Sequence, residues 1–429
     1  MLTIEKQYVE WTENKNSNDT SHNDALHNNT LHKARWLSSS DQAAPAHIEV
    51  INDSTSADKA YRLVCAGISL LYRGDFHNAR QLLQAMTRRI ERSEQRKSNK
   101  AASNSKNTIN NPADDALSPA KVIPNLFHQQ RQATAQRSRI LSRLLLELDA
   151  NYVSQLRRAP DVSAACIAAF GQLNKAVDTS LDKAIDESCL LSLRDLQGAL
   201  GSAQWREKGV PIKALGLSIY PHYGVFAPTR HEYVQLLLDA PLPASHNIAY
   251  DIGTGTGLLA IILAQRGVPN VIATDLNPQA LACASDNFSR QKLSNIQLEQ
   301  ADMFPTDAPL ANLIVCNPPW LPAKPTSPLE YAVYDEKSKM LRGFLQGAAQ
   351  HLAEQGEVWL ILSDLAEHLQ LRSREQLLGW IADSGLVVKY RLDTQPKHGR
   401  SQDETDPLYA ARSSEVTSLW CLVDASHEP

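Results

Sequence analysis

Paired cysteines are missing from this 429-residue sequence: Cys65, Cys166, Cys189, Cys283, Cys316 and Cys421 stand far apart, with no two-residue spacing between any of them. Neither a zinc site nor a disulfide framework is indicated, and the thiols read as reduced and mostly buried. Long apolar runs are missing too. Each is interrupted by charge within ~18 residues, so no segment qualifies as a membrane-spanning helix. The first thirty residues carry acids early and lack the apolar core of a signal peptide, so a cytoplasmic location is expected. His22, His27 and His32 recur every five residues and share no helix face suited to a metal, so no metal site is expected. Aromatics make up only 6% of the chain, and the scattered positive charges between residues 59 and 158 lack interleaved aromatics.

What is present begins with length and charge. The chain is too long for one minimal domain, which predicts two domains plus a disordered stretch. The net charge of -4 conceals a split: Lys59 to Arg158 holds 18 basic against 7 acidic residues, leaving 25 against 40 elsewhere. Such a basic module beside an acidic one marks either an arm for nucleic acid or ribosome, or a pair of solvated helix faces. Residues 1–56 are rich in Asn, Ser, Asp and His and are expected to be a disordered tail. Apolar spacings of three and four through Tyr61, Val64, Cys65, Ile68, Leu71 and Tyr72, and again from Phe76 to Met86, predict a helical hairpin over 57–93. A polar stretch near 94–119 is expected to be a disordered insertion. Helices then resume at 133–149, 160–171 and 193–200, making 57–205 an all-α domain without catalytic residues.

After Trp205 the pattern changes. Residues 206–247 read as a β-hairpin followed by a helix, and from 248 to 429 strands and helices alternate. Candidate strands lie at 247–252, 271–276, 296–301, 311–316, 356–362, 387–393 and 416–423; helices are expected at 258–266, 278–290 and 339–352. Alternation of this kind predicts an α/β fold, a mostly parallel sheet covered on both faces. The last two strands, joined without a clear helix, are expected to close it as an antiparallel pair.

Chemistry concentrates at the ends of these strands. The first ends in Asp251 and runs into Gly253, Gly255 and Gly257, then an apolar helix. Glycines allow a tight turn and close backbone approach to a ligand at the sheet's carboxyl edge, where a helix presents free N–H groups. The spacing is GxGxG, with Leu258 where a dinucleotide fingerprint has its third glycine. Asp275 closes the second strand, where a carboxylate can accept both hydroxyls of a ribose, and Asp302 closes the third, where it can accept from an exocyclic amine. The fourth strand ends in Asn317, Pro318, Pro319 and Trp320. Here an NH₂ group can donate to the Asn317 side chain and to the Pro318 carbonyl while Trp320 packs against the flat group that bears it. A nitrogen attacking a methyl group gains positive charge, so acceptors held in place stabilise the transition state more than the ground state.

At these residues the chain resembles the class I S-adenosylmethionine-dependent methyltransferases, within them the small-methyltransferase-domain branch whose (N/D)PP(Y/F/W) motif serves nitrogen methylation. The resemblance covers about 248–423 and extends more loosely to GVFAPTRHEYVQLL, which is similar to the segment before the core in release-factor glutamine methyltransferases of the HemK type. It implies a Rossmann-like seven-stranded sheet with S-adenosylmethionine as cofactor. Gly253, Gly255 and Gly257 would line its methionine part, Asp251 hold its amino group, Asp275 the ribose, and Asp302 with Met303 the adenine. Asn317, Pro318, Pro319 and Trp320 would grip the target nitrogen. Trp320 stands where glutamine methyltransferases usually have Tyr, which leaves the flat group open.

The resemblance implies an enzyme that methylates a planar nitrogen, foremost a glutamine amide of a translation factor or ribosomal protein. The alternatives are an exocyclic amine of a ribosomal RNA base and, from another class, a silent cofactor-binding scaffold. No membrane partner is expected. Glu330, Asp335 and Arg342, in the loop and helix after the motif, and Arg230 and His231 before the core, stand either near substrate or as solvated and capping charges.

Overall fold

The computed structural model describes residues 7–14, 29–40, 42–107, 119–173, 176–178, 183–185, 188–396 and 402–427. It comprises two units, Met1–Ala116 with Arg131–Gly201, and Leu117–Gln130 with Ser202–Pro429. Among the described residues no helix is long and apolar enough to cross a membrane, and no cluster of three or more His, Cys, Asp or Glu could hold a metal.

The first unit is not all-α. Its elements are β1 (Tyr8–Asn14), β2 (Asn29–Leu37), β3 (Ile48–Ile51), α1 (Ala57–Cys65), β4 (Ser69–Tyr72), α2 (Phe76–Asn107), the later turns of α3 (Pro119–Leu141), β5 (Leu144–Leu148), α4 (Ser163–Phe170), the short pair β6 (Ala176–Asp178) and β7 (Lys183–Ile185), β8 (Cys189–Ser192) and the first turns of α5 (Leu193–Lys208). Six strands form one mixed sheet in the order β1-β2-β8-β5-β4-β3. The expected helical hairpin over 57–93 is therefore α1, a strand and α2, and the expected helix at 133–149 ends in β5. Leu70 and Tyr72 of β4 and Leu144, Leu146 and Leu148 of β5 face one hydrophobic cluster, while Leu71 and Leu145 face another. Strands buried on both faces read as unbroken apolar runs, which periodicity does not separate from helix.

Two further expectations change. The supposed disordered tail contributes β1, β2 and β3. Val9 and Trp11 are buried while Glu10 and Thr12 are exposed, the alternation of a half-buried strand within a polar composition. His32 lies in β2, stacked on Trp11 with ring centroids 5.2 Å apart; His22 and His27 lie outside the described residues. The supposed insertion is helical on both sides, since α2 runs to Asn107 and α3 starts at Pro119, while 108–118 lie outside the described residues.

The second unit opens with the hairpin β9 (Val210–Ile212) and β10 (Leu217–Ile219) and the helix α6 (Glu232–Asp239). Then follow β11 (Ile248–Ile252), α7 (Leu258–Gln265), β12 (Asn270–Asp275), α8 (Pro278–Arg290), β13 (Ile296–Gln300), β14 (Ala311–Cys316), α9 (Lys339–His351), β15 (Leu352–Ser363), α10 (Leu365–His368), α11 (Arg374–Asp383), β16 (Leu386–Thr394), α12 (Tyr409–Ser413) and β17 (Thr417–Asp424). The sheet runs β13-β12-β11-β14-β15-β17-β16, parallel except at β17, which is antiparallel to both neighbours. Period-two alternation divides its side chains. Ala249, Val271, Ala273, Leu313 and Val315 pack with α6, α7 and α8, and Tyr250, Ile252, Ile314 and Cys316 pack with α9 and α11.

Strand order reverses between β11 and β14, and in such sheets ligands bind beyond the carboxyl ends of strands at that switch point. Ile252 is the register partner of Cys316. The glycine turn and Asn317 therefore leave the sheet side by side.

Candidate functional site

Asp251, at the penultimate position of β11, is fully buried. Its Oδ2 accepts from the Thr254 hydroxyl at 2.6 Å and from the Ala260 backbone N–H, in the first turn of α7, at 3.0 Å. Its Oδ1 is buried without a partner. Burial pushes the carboxyl up to about 7, with the two hydrogen bonds opposing the shift and the charge of Asp275 adding to it. A buried carboxylate oxygen lacking a donor fits a cationic amino group, because such a group restores both the hydrogen bond and the charge balance.

The turn itself requires glycine at two places. Gly257 has φ of +83°, and a Cβ there would collide with the Phe288 ring and lie 3.2 Å from Ala284 Cβ, so helix α8 packs directly on the turn. Gly253 has φ of +73°, and a Cβ would lie 3.2 Å from Met340 Cε. Gly253 and Thr254 both donate to the Thr274 carbonyl, at 2.9 and 2.8 Å, which ties the turn to β12.

Asp275, the last residue of β12, accepts from the Gly255 N–H at 3.0 Å and the Asn277 N–H at 2.9 Å. Burial raises its carboxyl above the usual range, with these backbone bonds opposing. The acid is thus oriented from both sides at the strand's end, beside the glycine turn. Met303 has φ of +76° and its carbonyl accepts from the Thr274 hydroxyl, while Asp302 is exposed. The acids at 251 and 275 are bound into the turn, whereas the one at 302 lies exposed.

Asn317 and Trp320 are half-buried and flank buried Pro318 and Pro319. Trp320 donates its indole N–H to Asn317 Oδ1 at 2.8 Å. One lone pair of the carboxamide oxygen is used within the motif and one is left for another donor. The Arg230 guanidinium lies over the indole at 4.8 Å from the ring centroid. It also bonds Glu232 at 2.5 Å and buried Glu415 at 3.1 Å through both terminal nitrogens. Glu415 in turn accepts from the Ser363 hydroxyl at 2.6 Å.

Of the other charges singled out in the sequence, Asp335 is buried and accepts from the Met340 and Leu341 N–H groups at 2.9 and 3.0 Å, capping α9. Its own N–H donates to the Leu321 carbonyl at 2.9 Å, which folds the loop after the motif back on itself. Glu330 accepts from the Thr326 N–H and hydroxyl, both at 2.8 Å, within that loop. Arg342 lies over Trp380 of α11 at 5.6 Å. His231 precedes α6 without capping it through its side chain, and its Nδ1 is buried with no partner. Sequence reasoning missed the Arg230 to Trp320 stacking and the contribution of Phe127. This α3 residue is 3% exposed and packs in one cluster with Leu321 and Ala323, immediately after the motif.

Residues 216–377 match the family model described as "Methyltransferase small domain". Over 188 residues, 42% of this chain and 92% of the other, the chain is 27% identical to a Methanocaldococcus jannaschii protein named as a protein N5-glutamine methyltransferase. It is 32% identical to a tRNA1(Val) (adenine(37)-N6)-methyltransferase of Cytophaga hutchinsonii, over 29% of this chain and 54% of that one. A release factor glutamine methyltransferase of Cereibacter sphaeroides is 38% identical over 20% of this chain and 32% of its own length. The chain thus spans nearly all of the first relative, about half of the second and a third of the third.

Proposed function

We infer the reaction from a premise of family: residues 216–377 belong to the methyltransferase small domain family, and the chain is an S-adenosylmethionine-dependent N-methyltransferase. We propose that the acceptor is the side-chain amide of a glutamine in a translation-related protein. The observation that carries this reading is the pairing of Ile252 with Cys316, which sets the Asp251–Gly257 turn beside the Asn317–Trp320 motif.

Bound S-adenosylmethionine supplies an electrophilic methyl group. Asp251, with its orphaned, buried oxygen, would hold its amino group, the glycine turn would let backbone approach the methionine part, and Asp275 would receive the ribose hydroxyls. Asp302 and Met303 would flank the adenine. On the acceptor side, Asn317 Oδ1 and the Pro318 carbonyl take the two hydrogens of the target NH₂. This orients the nitrogen's electron pair toward the methyl group and stabilises the positive charge that grows on it. No base is needed before the attack, because the proton leaves afterwards. Trp320 supplies a flat surface for the conjugated group that bears the nitrogen.

A second reading has one observation in its favour. Helices α2 and α3 carry 12 basic residues against 2 acidic ones, which suits the phosphates of an RNA whose adenine or guanine amine would be the acceptor. Radiolabelled S-adenosylmethionine, the full chain and a cell lysate decide between them. Label that survives ribonuclease and is released by protease supports glutamine; the reverse pattern overturns it in favour of RNA.

A further inference from the structure

The stacking of Arg230 on Trp320 joins into a chain of four side chains that ends at the proposed acceptor of the target hydrogen. Glu415, 1% exposed and just before β17, holds Arg230 by two hydrogen bonds; Arg230 covers one face of Trp320; Trp320 donates to Asn317. Each link constrains the next. A buried carboxylate is costly without a cation, so Glu415 keeps the guanidinium in place. A cation over the indole face fixes the ring's tilt. The indole N–H is a donor only, so the atom of Asn317 that faces it must be the carboxamide oxygen. Were the carboxamide flipped, its NH₂ would confront both the indole N–H and the target NH₂.

We propose that Arg230 is a positioning residue for methyl transfer: anchored by Glu415, it orients Trp320, and Trp320 thereby fixes which end of the Asn317 carboxamide meets the acceptor nitrogen. It also closes one indole face to a substrate's planar group. The charge is balanced locally, because Glu232 and Glu415 both pair with Arg230, and a nitrogen acquiring positive charge beside the motif does not face an uncompensated cation. The residue in the motif's aromatic position thus has two tasks, one of which Phe cannot perform.

The inference rests on the proposed N-methyl transfer, and its first readout is independent of that. In the full chain with indole-¹⁵N tryptophan, the Trp320 signal, assigned as the one lost in Trp320→Phe, should show slow hydrogen exchange and the downfield position of a bonded N–H. Arg230→Ala and Glu415→Gln should each speed that exchange at least 10-fold and shift the signal, leaving the other six indoles in place; Arg230→Lys should restore part of the protection. Transfer of label from S-adenosylmethionine to the lysate acceptor should fall at least 10-fold in kcat for Arg230→Ala and Trp320→Phe, with cofactor affinity unchanged. An unaltered Trp320 signal in Arg230→Ala overturns the positioning role. An altered signal in a chain whose wild type transfers no methyl group overturns the proposed reaction and leaves the coupling of the four side chains standing.

Discussion

Ile252 and Cys316 face each other in register across the junction of β11 and β14, and the residues that follow them are Gly253 and Asn317. Everything proposed for the second unit depends on that neighbourhood, because a methyl donor held on the glycine turn and a nitrogen held by the motif must meet within one bond length of transfer.

The state of Asp251 should be visible in the pH dependence of stability. Its carboxyl lies near 7 in the fold against 3.8 in an open chain, so the fold disfavours its ionised form. The resulting stability is fully present below about pH 4, is lost as the pH rises toward 7 and is constant above that. Without cofactor, wild type should therefore lose melting temperature relative to Asp251→Asn between pH 4 and 7, at about 2–4 °C for each kcal/mol. A constant difference across that window contradicts the raised value. Saturating S-adenosylmethionine should restore wild type and help the variant far less.

Asp275→Ala should weaken the binding of S-adenosylmethionine and of its demethylated product by about 1–3 kcal/mol, roughly 5- to 150-fold in Kd, since ribose hydroxyls lose an ionised acceptor. Calorimetry is the direct check. An unchanged Kd would remove Asp275 from the site, and tight binding of NAD in its place would contradict the reading of the glycine turn.

Phe127→Ala should destabilise the second unit by about 3–5 kcal/mol, the range for emptying a buried aromatic position. The ring packs with Leu321, Ala323, Leu365 and Leu408, so its loss should also raise KM through the loop after the motif. Removal of residues 1–205, which treats the second unit as continuous in sequence, should on the same ground give a less stable domain than the full chain retains. Equal melting temperatures for the second unit in both forms would contradict this.

The second unit was largely legible because most strands of its large sheet are followed by a helix, and the change of period from two to 3.6 marks the borders; α8 and β14 lie at the residues expected for them. The first unit was not, because β4, β5 and β8 are four- or five-residue apolar runs buried on both faces, and β1 and β2 are polar strands separated by a long stretch outside the described residues. The glycines, Asp251, Asp275 and the motif from Asn317 to Trp320 could be named because each sits at a strand end. Arg230 and Glu415 could not be paired: they are 185 residues apart, and an isolated Arg or Glu in a loop carries no mark of its partner. Phe127 was hidden likewise, on a helix whose partners come nearly two hundred residues later.

Turnover of Asn317→Ala, measured with S-adenosylmethionine and the acceptor identified by radiolabelling, tests the nitrogen-gripping role at the reacting atom. If Asn317 Oδ1 takes a hydrogen of the target NH₂ as charge develops, kcat should fall ~100-fold or more while the Kd for S-adenosylmethionine stays within about twofold of wild type. Trp320→Ala should by contrast raise KM through loss of the stacking plane as well as lowering kcat through the freed carboxamide. Wild-type turnover in Asn317→Ala would contradict the role outright, and the Asn-Pro-Pro-Trp segment would then be a structural turn at the end of a buried strand.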